Sequence, residues 1–373
     1  MTVDVSSRIR RVQAALKSAG IDALIVTPSA DLRYLTGYAA KPLERLTALV
    51  VSCDSDPVLV VPRLEVAEAE RSPAGLAGME IATYDETNDA SAMVGQLLSR
   101  EISSSPVVAV DDHMWATRVF ALQSVLPGAQ LRTAGPLLSG LRMRKAPDEV
   151  ASLRQAGAAI DRVHRRMGEF LRVGRTEREV AAAISAAILE EGHVTVDFVI
   201  VGSGPNGASP HHSVSDRVVE VGDSAVIDIG GSTLKGYCSD CTRTYVVGAE
   251  PDPAVVEYYD VLLQAQRAQC DFARSGVTAE SVDALGRQVI DEGGFADYFV
   301  HRTGHGIGLE THEEPYIVTG NSLKLEAGMA FSIEPGIYLP GRHGARIEDI
   351  VVVNDEGIER LNTTTRQLSV LEG

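Results

Sequence analysis

Short apolar runs alternate with helical-period stretches along the first 140 residues. Ile9, Val12, Leu16 and Ile21 recur at helical intervals near the start, with no continuous apolar block of signal-peptide type. "DALIVTP" is an apolar run stopped by Pro28, as a buried strand would be. "TALVVS" and "PVLVVP" flank the polar "CDSD" and predict a hairpin. "RLEVAEAER" is helical, "PVVAVDD" reads as another strand, and a helix follows near Ala116 to Leu126. This alternation predicts a small α/β domain over residues 1–140, without chemistry of its own.

The texture changes at "RKAPDEVASLRQAGAAIDRVHRRMGEFL". Pro147 suits a first helical position, Asp148 and Glu149 suit the positive end of the helix dipole, and Val150, Leu153, Ile160, Val163, Met167 and Phe170 form one apolar stripe. A second domain, residues 141–373, begins here. The charges of "PDEVA" and "RTEREV" read as solvated helix faces. Within this domain "VGRTEREVAAAISAAILEEG" resembles "SGVTAESVDALGRQVIDEGG": a turn, a capping threonine and a helix closed by glycine. Further on, "EVGDSAVIDIGG" matches "LEAGMAFSIEPG". Aligning Gly222 with Gly328 puts Asp228 on Glu334, and aligning Gly236 with Gly344 puts Asp240 on Glu348. Two halves thus offer four acids at matching places, facing one another across a pseudo-twofold axis.

An acid inside an apolar strand such as "VIDIGG" implies a partner, because an isolated buried carboxylate costs several kcal/mol. Four converging acids repel unless divalent cations neutralise them, and an added imidazole moves the metal preference toward Mn²⁺, Fe²⁺, Co²⁺ or Zn²⁺. Six of the nine histidines lie between residues 211 and 343, three of them in "HRTGHGIGLETHEEP". There His305 is flanked by Gly304, Gly306 and Gly308, whose missing side chains permit close approach. The glycines do not have G-x-G-x-x-G spacing, and "HEEPY" lacks the second histidine of H-E-x-x-H. In "CSDC", Cys238 and Cys241 are three apart in an extended run and point to opposite faces, so they read as core cysteines. Four cysteines in 373 residues suit a reducing compartment. A formal charge of −17, from 34 basic and 51 acidic residues, opposes nucleic acid and anionic membrane as partners. No apolar run of membrane-spanning length exists, and the chain is expected in the cytoplasm.

Asp228, Asp240, His305, Glu334 and Glu348, on "VIDIGG", "GYCSDCTRT", "GHGIGLETHE", "SIEPGIY" and "RIED", resemble the five metal ligands of the pita-bread metallopeptidases, peptidase family M24. The two-domain length, "DLRYLTGY" and "RMRKAPDE" are similar to the Xaa-Pro dipeptidases (prolidases) and Xaa-Pro aminopeptidases of that family. The resemblance implies a creatinase-type N-terminal α/β domain followed by a pita-bread catalytic domain. It implies two divalent ions per subunit, Mn²⁺ foremost, with Co²⁺, Zn²⁺ or Fe²⁺ as substitutes, bridged by Asp240 and Glu348. It also implies a homodimer and short proline-containing peptides as substrates, hydrolysed by a metal-bridging hydroxide. His211 and His312 match catalytic histidines, Glu334 the proton shuttle, and His211, His301 and Arg346 positions that bind substrate. An Xaa-Pro dipeptidase is the leading reading, and aminopeptidase P, acting on longer peptides, the alternative. Asp228 and Asp240 are twelve apart where many relatives have eleven, which a one-residue bulge in the turn "GSTLKG" would absorb. His212, adjacent to His211 but without a match, reads as a solvated loop histidine, and His113, His164, His193 and His343 read as surface or satisfied residues.

Overall fold

Asp4 accepts a hydrogen bond from the Ser7 amide and opens the helix Val5–Ala19, which Gly20 closes in a left-handed conformation at φ 64°. The apolar stripe of that helix is buried. A computed structural model describes residues 4–99 and 105–373, and the chain divides into two units, Met1–Arg142 and Met143–Gly373. In the first unit β1 (Ala23–Val26), β2 (Ala48–Ser52), β3 (Val58–Pro62), β4 (Glu80–Tyr84), β5 (Val107–Val110) and β6 (Gln130–Thr133) form one mixed sheet of order β4-β3-β2-β1-β5-β6. β2 and β3 pair antiparallel as the hairpin pattern predicts, with Ala48 opposite Val60. Ile25, Val50, Val60 and Val108 pack under Val94, Leu98 and Leu122 of the covering helices. Each such side chain contributes roughly 1.5–3 kcal/mol on burial.

In the second unit the stripe from Val150 to Phe170 is two helices, Pro147–Arg165 and Met167–Phe170, rather than one. Arg166 leaves helical geometry at φ −92° and ψ 5°, yet Ile160, Val163, Met167 and Phe170 still enter the same core. Both charge clusters contain a buried acid, which corrects their reading as solvated faces. Glu149 accepts hydrogen bonds from the Ala146 amide and the Tyr237 hydroxyl, and Glu177 is completely enclosed.

The repeat is realised as two α/β halves. Thr176 caps the helix Glu177–Glu190 and Thr278 caps the helix Ala279–Glu292. The first half has β7 (His193–Ser203), β8 (Ser224–Thr233) and β9 (Cys238–Val247). The second has β10 (Gly304–Gly306), β11 (Glu313–Ile317), β12 (Ala330–Ile333), β13 (Gly336–Leu339), β14 (His343–Arg346), β15 (Asp349–Val353) and β16 (Ile358–Arg360). The final strand, β17 (Ser369–Leu371), returns to pair with β9, giving sheets of order β17-β9-β8-β7 and β11-β10-β12-β15-β16 beside the β13-β14 hairpin. Gly222 and Gly328 adopt nearly the same left-handed conformation, φ 87° and 86°, at the entry to β8 and β12. Gly236 and Gly344 do not correspond in conformation: Gly236 turns at φ 88°, whereas Gly344 lies within β14.

Alternation then sorts the side chains. Ile227, Ile229 and Cys241 pack under Val180, Ile184 and Ile188 of the covering helix. The intervening Asp228 and Asp240 are therefore left on the opposite face. Phe331, Ile333 and Val351 pack likewise against Ala279 and Val282 in the second half. Cys238 joins a separate cluster with Tyr237 and Ile307, so the two cysteines of "CSDC" do face apart.

Candidate active site

Asp228 and Asp240 stand on neighbouring strands, with Asp228 opposite Thr242 and Gly230 opposite Asp240. No register shift interrupts this ladder, and in the turn that joins the two strands Gly236 donates its amide to the Thr233 carbonyl. From the second half, Glu334 follows β12 and Glu348 precedes β15, just beyond the paired Ile333 and Asp349. His305 lies at the centre of β10. A Cβ on Gly304 would collide with the Ser332 carbonyl, and one on Gly306 with the Glu314 carbonyl, so bare glycines let β10 enter between β11 and β12.

These five residues converge. Ligand atoms of Asp228, Asp240 and Glu348 lie within 4.8 Å of one another, as do those of His305, Glu334 and Glu348. A third group of the same size joins Asp240, His305 and His312. His305 Nε2 is 3.1 Å from Glu334 Oε1 and 3.7 Å from Asp240 Oδ2. His211, His301, His312 and Arg346 line the same cavity, about 680 Å³ in volume, so every predicted site residue reaches it.

Burial, then the charges of Glu348, Asp228 and Glu334, push the Asp240 carboxyl well above the usual range. Glu348 is pushed up by burial and then by Glu334 and Asp228. Burial also acts to raise Glu334, but hydrogen bonding and attraction from His305, with His301 and Arg346, hold it at about 2. Burial and then His305 lower His312 to about 4, so its imidazole is neutral at pH 7.

The set fits divalent cations. Asp228 Oδ1 and Glu348 Oε1 are buried and have no hydrogen-bond partner among the described residues, which is costly for a carboxylate unless something positive meets it. The opposite oxygens are held in place: Thr242 Oγ1 donates to Glu348 Oε2 at 2.8 Å and Arg346 Nη2 to Asp228 Oδ2 at 2.6 Å. Ser332 Oγ donates to Glu334 Oε1 at 2.8 Å and accepts the His305 amide. His305 Nδ1 meets the Gly306 carbonyl at 3.1 Å, leaving Nε2 toward the acids.

Several contributors went unnoticed in the sequence. Tyr338 joins two predicted residues, accepting from Arg346 Nη1 at 2.6 Å and meeting His301 Nε2 at 2.9 Å. Thr242 was findable, since it lies two residues past Asp240 and so shares its face. His212 is not a solvated loop residue: its Nε2 is 2.7 Å from Glu177 Oε2. Glu177 also accepts from the amides and hydroxyls of Ser203 and Ser215 and from Asn206, gathering the loop that carries His211. The remaining histidines are structural or peripheral. His164 and His193 are buried and bonded, His343 stacks on Tyr258, and His113 is exposed.

A duplicated α/β unit that brings acids and an imidazole from both halves to one buried point has the form of a metal-dependent hydrolase of the pita-bread class. Residues 151–355 match the model described as Metallopeptidase family M24, and residues 8–144 match the Creatinase/Prolidase N-terminal domain. The chain belongs to metallopeptidase family M24. It is similar to the crystal structure of dipeptidase PepE from Mycobacterium ulcerans, at 50% identity and a TM-score of 0.92, covering 98% of each chain. It is also similar to a prolidase from Thermococcus sibiricus, at 36% identity and a TM-score of 0.93, with 100% of each chain covered. The Xaa-Pro dipeptidase of Lactobacillus helveticus is 33% identical over 365 residues, 97% of this chain and 98% of that one. Among the described residues no helix is long and apolar enough to cross a membrane.

Proposed function

We propose that this protein is an Xaa-Pro dipeptidase in which Asp228, Asp240, His305, Glu334 and Glu348 hold two divalent cations, Mn²⁺ foremost. The observation that carries the reading is the meeting of these five side chains with two buried, unpartnered carboxylate oxygens among them. When bound, the cations supply Lewis-acid activation of water and of the scissile carbonyl. Glu334 accepts the proton released by the attacking water and delivers it to the prolyl nitrogen, completing addition of water across the C–N bond. His312, neutral at pH 7, donates a hydrogen bond to the developing oxyanion, and His211 contacts the substrate beside it. Arg346 and His301, tied together through Tyr338, orient the proline side of the substrate. A bond to proline lacks an N–H, so the site must grip its substrate by other groups. The same reading includes a homodimer in the cytoplasm without nucleic acid as a partner. Among the described residues all four cysteines are unpaired, which supports a reducing compartment.

The test is hydrolysis by metal-stripped protein reconstituted with Mn²⁺, Co²⁺ or Zn²⁺ and offered Ala-Pro, Ala-Pro-Ala and Met-Ala-Ala. Cleavage of Ala-Pro is the expected result; preference for Ala-Pro-Ala would make it an aminopeptidase P, and release of methionine alone would overturn the proline specificity. Asp240→Ala or His305→Ala should lower turnover more than about 100-fold with loss of bound metal. Unchanged activity in either variant would remove these residues from the centre.

A further inference from the structure

Strand β7 departs from its own period beside the metal-ligating cluster. Val196 and Val199 both pack on the helix-side core, while Asp197, Phe198 and Ile200 all line the cavity. An unbroken strand would alternate, and one of two consecutive residues would face away. The register gives the reason: Val196 pairs with Gly231 and Phe198 with Gly230, so residues 197 and 198 oppose a single partner. Such a bulge re-aims a side chain, and here it presents a carboxylate and an aromatic ring to the cavity together.

Both side chains are held. The Phe198 ring lies over Gly230, where a Cβ would stand only 2.5 Å from its Cε1. Asp197 Oδ1 accepts from Thr195 Oγ1 at 2.9 Å and Oδ2 from Ser232 Oγ at 2.6 Å. Asp197 is exposed, and among the described residues no lysine or arginine pairs with it. Among the described residues lining the cavity, Asp197 is thus the one carboxylate outside the metal-ligating cluster; of the two lining arginines, Arg346 is bound to Asp228 and the Arg302 guanidinium lies over the Tyr316 ring.

Distance decides what that charge meets. Residues 197 and 198 oppose Gly230 from β7 and Asp240 pairs with Gly230 from β9, so Asp197 and Asp240 stand two strands apart, roughly 10 Å. The α-ammonium of a bound peptide lies only about 2.5 Å from its own carbonyl carbon, which is too close to the cations to reach this point. A lysine ammonium stands ~6 Å from its Cα on a four-carbon stem, and an arginine guanidinium slightly further. Either would lay an apolar stem across Phe198, whose ring face also attracts a cation, and set its charge beside Asp197.

Building on the Xaa-Pro reading, we propose that Asp197 and Phe198 form the subsite for the residue before proline and favour lysine or arginine there. The net charge of −17 favours the same substrates at long range.

The experiment compares kcat/KM of the metal-reconstituted protein for Lys-Pro, norleucyl-proline, Ala-Pro and Glu-Pro. Norleucine matches the lysine stem without its charge. Lys-Pro should exceed norleucyl-proline by about fivefold at low salt and lose the advantage as salt is added. Asp197→Asn, which keeps the shape and an accepting oxygen, should bring that ratio to about one by lowering kcat/KM for Lys-Pro more than for norleucyl-proline. Asp197→Lys should shift the preference to Glu-Pro. Equal values for Lys-Pro and norleucyl-proline in the wild type, or an equal fall for both in Asp197→Asn, would overturn the subsite while Ala-Pro cleavage left the Xaa-Pro reading intact. No turnover of any of the four would overturn that reading and the subsite with it.

Discussion

Thr242 is placed to show how much one hydroxyl contributes to this centre. It donates to Glu348 and accepts from Arg346 Nε at 3.1 Å, so it fixes one oxygen of a buried acid whose other oxygen is free. Thr242→Val keeps the shape and removes both bonds. Metal affinity, measured by competition with a chelator, should fall about 10–100-fold with the fold preserved. Glu177 makes a pH prediction. Burial would raise its carboxyl, but hydrogen bonds from Ser215, Ser203, Asn206 and His212 outweigh this and hold it at about 2. A folded pKa below the unfolded one means stability is fully present above pH about 4.5 and is lost as pH falls toward 2. The contribution is on the order of 3 kcal/mol. Denaturant unfolding of Glu177→Gln should be less stable at pH 7 and show a shallower decline over that acid range than the wild type. At this scale the sequence showed the converging acids because acids in apolar strands are conspicuous. It hid Glu177 because an acid in a helix's first turn ordinarily faces water.

At the scale of elements, each half uses a capped helix to cover one face of its strands and leaves the alternate positions for chemistry. The capping threonines, the helix periods and the strand alternation are local properties, so they were readable without neighbours. The bulge in β7 and the break at Arg166 were not, since register depends on the strand opposite and helix termination on the packing around it. β10 is the element most exposed to a single change. Gly304→Ala would drive a methyl group into the Ser332 carbonyl and displace the strand carrying His305. Destabilisation of about 3 kcal/mol or more in denaturant unfolding is expected, with loss of metal-dependent activity. Gly320→Ala offers a contrast. Its Cβ would meet nothing, so only the left-handed φ of 87° is strained, and a cost of about 1–2 kcal/mol should follow with activity retained.

At the scale of the molecule, the catalytic unit is held together at its centre by groups that repel until cations arrive. Adding Mn²⁺ to chelated protein at 100-fold above its Kd should stabilise the folded state by about 2.7 kcal/mol. The Tm should rise by roughly 5–10 °C, and Asp240→Ala should lose most of that rise. The two-part organisation, the internal repeat and the identity of the converging acids and His305 followed from the order of residues alone, because periodicity and motif spacing are one-dimensional. Which oxygens stand bare, how Tyr338 couples His301 to Arg346, and where Asp197 faces were decided only by tertiary structure. Those properties depend on what two distant segments leave for each other once both are packed, and no local pattern encodes that remainder.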